Sequence, residues 1–160
     1  MTFAIGLYDI SVWVHVSAVV VGFGATFAEA LAFPVAMRVG VRHLPYVHHL
    51  QLAINQQLAN PALGLIILTG IYQTIDADWG FGSFWISATF LIAIVLGGLN
   101  GAYFIPTDRR LAAQAQRELD ETGNVSDDYR RKARQEGILG AVAGILVIAA
   151  IFLMVTKPGA

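Results

Sequence analysis

The sequence predicts an all-α protein, a four-transmembrane-helix bundle with both termini outside, and three observations carry that expectation. Of its 160 residues, 56% are hydrophobic and only 13% charged, whereas soluble domains run near a quarter charged. Apolar runs at 10–37, 61–75, 84–105 and 138–156 supply the roughly 20 residues that a helix needs to cross a bilayer. Nine of the ten Lys and Arg residues fall in two connecting segments. Arg38 and Arg42 lie between helices 1 and 2. Arg109, Arg110, Arg117, Arg130, Arg131, Lys132 and Arg134 lie between helices 3 and 4. The positive-inside rule puts both segments in the cytoplasm. One domain over 1–160 is expected, with helices at about 8–37, 46–76, 84–105 and 126–156. There is no cysteine, which excludes disulfides and Cys-ligated metals. A net charge of −1 gives no electrostatic reason for a nucleic-acid partner.

Helix 1 contains "SVWVHVSAVVVGFGATFAEALAFP", residues 11–34. Two ionisable residues, His15 and Glu29, interrupt its apolar character. Fourteen positions apart, they are separated by a rise of about 21 Å and a rotation of roughly 40°, so they share one face. Ala28-Glu29-Ala30 imitates a signal-peptidase site. Residues 1–9 have no Lys or Arg, however, and the apolar stretch is longer than a signal h-region, so the helix is expected to be retained.

Residues 46–60, "YVHHLQLAINQQLAN", place Val47, Leu50, Ile54 and Leu58 at helical spacing. This predicts an amphipathic cytoplasmic extension of helix 2, with His48, Gln51 and Asn55 on a solvated face. His43, His48 and His49 make a weak chelating set, because neighbours in sequence point apart on a helix. In the loop "DADWGFGSFW", the aromatics at 79, 81, 84 and 85 read as an interfacial belt. Helix 3 is expected to end at Pro106. A polar helix over 107–122 follows, N-capped by Thr107 or Asp108 and stopped by Gly123-Asn124, and Ser126-Asp127-Asp128 opens the last helix. Between Asp108 and Glu136, seven basic and seven acidic residues make a mixed-sign face able to dock a partner. Gly97 and Gly101 on helix 3, and Gly137, Gly140, Ala141 and Gly144 on helix 4, are small residues at a spacing that lets helices approach closely.

Sorted by depth, the intramembrane polar groups form two layers. His15, Thr69, Gln73, Thr89 and Met154 fall near the outer surface. Glu29, Asn60 and Asn100 fall near the inner one. Polar side chains in hydrocarbon seek partners inside the bundle, so each layer is expected to be a cluster.

"WVHVSAVVVGFGATFAEALAFP", "NPALGLIILTG" and "WISATFLIAIVLGGLNGAYFIPTDRR" resemble the first three helices of small bacterial four-helix membrane proteins. These include the HemJ-type protoporphyrinogen oxidases, the copper-resistance D domain and a group of integral membrane proteins of unassigned function. The resemblance implies a bacterial inner-membrane location and a haem b site in which His15 matches the helix-1 iron ligand. The helix-3 Lys of the HemJ pattern falls on or beside Thr89, and its later His falls on Asn100. Both replacements argue against the oxidase reaction.

Three functions are compatible with these readings. The first is an accessory or assembly subunit of a larger membrane complex or homo-oligomer, with no chemistry of its own. The second is a haem- or porphyrin-binding redox protein, with His15, Gln73, Thr89 and Met154 as candidate cofactor-binding residues and His15 as the iron ligand. The third is a proton or small-solute conduit through Glu29.

Overall fold

A computed structural model describes residues 5–159, all of its regular structure helical. Four continuous or gently interrupted rods run Leu7–Val39, Val41–Asp76, Phe84–Thr122 and Asp127–Thr156, each long and apolar enough to cross a membrane. The first rod is α1 (Leu7–Glu29) followed by α2 (Ala32–Val39). It is not the unbroken 8–37 helix expected. Pro34 has no N–H to give the Ala30 carbonyl, and its ring crowds that oxygen, so the chain breaks at Ala30-Leu31. The second rod is α3 (Leu44–Ile54), a π-helical segment at Asn55–Ala59, and α4 (Asn60–Asp76). The third is α5 (Phe84–Leu99), a second π segment at Asn100–Phe104, and α6 (Ile105–Thr122).

The two π segments share a local cause. Each begins at an asparagine, Asn55 or Asn100, with a proline six residues later, Pro61 or Pro106. Proline cannot donate to the carbonyl four residues back. The preceding turn widens instead, so that Asn60 N–H reaches the Asn55 carbonyl and Ile105 N–H reaches that of Asn100. Helix 3 therefore does not stop at Pro106. It passes the proline through the widened turn and continues to Thr122, where Gly123 (φ 71°) ends it in the left-handed conformation. Asp108 is consequently no N-cap; it lies in the first turn of α6.

The last rod, α7 (Asp127–Thr156), opens at the Ser126 N-cap, whose hydroxyl accepts from Tyr129 N–H. Asp127 and Asp128 in its first turn complement the helix dipole.

Within the apolar spans, α1 packs along α4 and α5 along α7. The α1–α4 seam is built on Ala18, Ala62 and Ile66, flanked by Val19 and Phe23. Large side chains such as Val20, Leu68, Leu91, Ile94 and Phe152 are exposed on the outside of the bundle, as a lipid-facing surface requires. Of the expected small-residue contacts, Gly144 lies against Phe27 and Gly97 against Leu63, each with only 3.1 Å of room for a Cβ. Gly101, Gly137 and Gly140 face open space.

A second core sits beyond the apolar spans, at the end that carries the basic residues. There α3 packs on α6, and Leu44, Val47, Leu111, Ala115, Val125 and Tyr129 are buried together. The connecting segments thus fold into a small helical subdomain in which α6 turns Asp108, Leu111, Ala112 and Ala115 inward and its arginines outward.

Candidate functional site

A cavity of about 320 Å³ lies between α1, α4, α5 and α7, at the end of the bundle that carries Tyr8 and Lys157. His15, Gln73, Thr89 and Met154 all contribute to its wall. Volumes of this order are at the small end of ligand pockets.

His15 belongs to the buried stripe of α1, with Ala18 and Gly22, and is therefore turned toward α4. Its Nδ1 lies 2.8 Å from Thr69 Oγ1. The Thr69 hydroxyl gives its own proton to the Leu65 carbonyl at 2.6 Å. Thr69 must then accept from His15, which makes Nδ1 the protonated nitrogen. Nε2 is left with a lone pair and, among the described residues, no hydrogen-bond partner. Anchoring one ring nitrogen to an oxygen while the other stays free is how proteins orient an imidazole that ligates a metal.

Three further groups shape this cavity. Gln73 Nε2 is a buried donor with no partner. Thr89 is buried and spends its hydroxyl on the Trp85 carbonyl at 2.6 Å, so it offers the cavity a methyl surface. Lys157 sits in the left-handed region (φ 42°) just after α7, with its ammonium 4.0 Å from the centre of the Trp79 ring and 5.6 Å from that of Trp85. The two indoles meet edge to face at 5.2 Å. The aromatic belt expected in this loop is thus only part of the account. Trp85 is buried, and both tryptophans line the cavity, because Trp79 N–H bonds the Thr74 carbonyl at 3.0 Å and folds the loop back.

The inner layer divides. Asn100 Nδ2 donates to Asn60 Oδ1 at 2.7 Å, joining the second and third rods beside their π segments. Glu29 makes no hydrogen bond with either asparagine; its Oε2 and Asn100 Oδ1 are both buried without partners. Glu29 lies instead within electrostatic reach of Asp108 and Glu136. Between the two layers stands an apolar plug that includes Val19, Phe23, Leu63, Ile66 and Leu96 around a void of about 30 Å³.

Sequence reasoning passed over a deeply enclosed polar group. His48, expected on a solvated face, is 1% exposed. Its Nδ1 lies 3.0 Å from Asp108 Oδ1 and its Nε2 2.7 Å from Tyr129 Oη. His48 Nδ1–H donates to Asp108, and Nε2 accepts the phenolic O–H. Glu136, on the next turns of α7, is buried beside them. One signal was available: His48, Gln51 and Asn55 form a polar stripe at helical spacing, which suits a buried network as well as solvent.

Four membrane-length helices with lipid-facing apolar flanks define a small polytopic integral membrane protein. The chain belongs to the DUF2269 family of predicted integral membrane proteins, whose family model matches residues 9–158. No curated protein and no solved structure matches it significantly.

Proposed function

We propose that the protein binds a porphyrin-type cofactor, haem b, in the cavity at the terminal end of the bundle, with His15 Nε2 as the iron ligand. The carrying observation is the pairing of a tethered imidazole, its other nitrogen free, with an unpartnered amide donor on the same cavity wall. The donor set suits the group. Gln73 Nε2 and the Lys157 ammonium are complementary to a propionate, and Met154 is a thioether on α7 that also lines the cavity. Bound haem supplies one-electron redox chemistry. The protein's part is to hold the ring, fix the His15 tautomer through Thr69 and keep water away with an apolar wall.

The geometry favours ligand binding over the accessory-subunit role expected from the sequence, because a cavity with orphaned polar atoms asks for an occupant. A proton conduit through Glu29 has less support: the side chains between the two polar layers, Val19, Phe23, Leu63, Ile66 and Leu96 among them, are apolar and offer no relay. Protein purified from haem-replete cells is expected to show a Soret band that His15→Ala abolishes or shifts. A colourless, folded wild-type protein sinks the proposal.

The orientation that accompanies this reading has both termini outside, in a bacterial cytoplasmic membrane, because the basic residues cluster at the other end. The native chain has no cysteine, so a single cysteine at position 124 tests it directly. An impermeant thiol reagent should leave that cysteine unlabelled in intact cells and label it after lysis. Labelling in intact cells reverses the topology and puts the cavity on the cytoplasmic side.

A further inference from the structure

The basic end of the bundle holds a second site that owes nothing to the cavity. His48 on α3, Asp108 on α6 and Glu136 on α7 each present a ligand atom, and these atoms all lie within 4.8 Å of one another. The three residues are 1%, 2% and 8% exposed. Glu136 Oε1 is buried with no hydrogen-bond partner, an arrangement in which the group either stays protonated or has positive charge supplied to it.

Charge points the same way. Among the described residues, the ion pairs are His48–Asp108, Arg131–Asp128 and Lys132–Asp128, so no Lys or Arg reaches the buried carboxylates. Glu29 adds a further acidic group within electrostatic reach of Asp108 and Glu136. The surplus is therefore acidic, enclosed, and accompanied by one imidazole. Buried charges of this kind are paired or coordinate metals.

We propose that His48, Asp108 and Glu136 form a binding site for a divalent transition-metal ion, which ties α3, α6 and α7 together. One imidazole and two carboxylates are ligands for Mn²⁺, Fe²⁺ or Zn²⁺; without thiols the set does not select copper(I). Two ionised carboxylates cancel the charge of the ion. Ligand atoms around a metal at about 2.1 Å stand roughly 3–3.5 Å apart, so small side-chain movements close the site. On binding, Nδ1 exchanges its hydrogen bond to Asp108 for the metal. The ring proton then resides on Nε2, which donates to the Tyr129 hydroxyl 2.7 Å away. Tyr129 is the positioning residue that holds the ring in that tautomer.

The test uses the full chain in detergent, stripped with chelator and then titrated with Mn²⁺ and, separately, with Zn²⁺. The expected result is about one tightly held equivalent, with a rise in Tm on binding. Glu136→Gln preserves size and shape; it should lose at least about 100-fold in affinity, together with the metal-dependent rise in Tm. Asp108→Asn is the second variant, should Glu136→Gln fail to fold. A His43→Ala/His49→Ala double variant removes histidines outside the cluster and should bind as wild type. Absence of a Tm response and of retained metal in the wild type overturns the proposal. So does undiminished binding by both carboxylate variants. Haem content reads the cavity independently, so failure here leaves that site standing.

Discussion

Replacing His48 with alanine should lower the stability of the metal-free protein by about 3–5 kcal/mol, the larger of two expected losses. The imidazole is the hydrogen-bond partner of both Asp108 and Tyr129, and its ring also packs edge to face on Tyr129, with centroids 5.9 Å apart. Truncation leaves a buried carboxylate and a buried phenol unpaired in a core that has no cation to offer. It also opens a hole beside Phe33, whose ring centre lies 6.3 Å from that of His48. Equilibrium unfolding in mixed micelles measures the loss. The neighbouring His49 is exposed, and His49→Ala should stay within about 0.5 kcal/mol of wild type. Equal effects at 48 and 49 contradict the enclosed arrangement.

Gly22→Ala should cost about 1–3 kcal/mol by overpacking, although it adds a single methyl group. A Cβ at Gly22 stands 2.5 Å from the Ala62 Cβ, a distance that carbon atoms do not tolerate. Neither alanine methyl can rotate away, so α1 and α4 must separate along their seam. That movement loosens Ala18 and Ile66 and shifts His15, seven residues up the same stripe, relative to Thr69. Gly24, two positions on, has nothing within 4 Å of its own Cβ direction, and Gly24→Ala should leave the unfolding midpoint unchanged. If both substitutions prove silent, the helices do not meet at Gly22.

The four spans were legible because length and apolarity alone decide whether a helix can cross a bilayer, and neither depends on distant contacts. The pairing of His15 with Thr69 was likewise within reach, since both lie at one depth on helices of opposite direction. Asn60 with Asn100 follows from the same counting. Glu29 shows where depth counting stops. Depth gives height along the bundle but not angle around it, and Glu29 makes no hydrogen bond to the asparagines at its height. Pro106 misled for a different reason: a proline ends a helix only if the preceding turn stays tight. The polar stripe of His48, Gln51 and Asn55 could signal a network but not name its members, because the partners of His48 come 60 and 81 residues later. Its burial depends on α6 continuing the third rod past Pro106 to pack along α3.

The π segments at Asn55–Ala59 and Asn100–Phe104 have an effect on helical phase. An α-helix advances about 100° per residue, and a single-turn π segment behaves as one extra residue inserted in an otherwise regular helix. Everything beyond the segment is rotated by that amount relative to an uninterrupted rod. The lipid-facing stripes of α4 and α5 are therefore out of phase with the inward faces of α3 and α6, and each rod presents one azimuth to the bilayer and another to the helical subdomain. Because both rods carry the shift at the same height, His48 and Asp108 come round to face one another. Removing one residue from either segment would let the rod relax to regular pitch and swing one partner about a quarter turn away. The contact between imidazole and carboxylate is thus set by the count of residues through two turns that neither side chain touches.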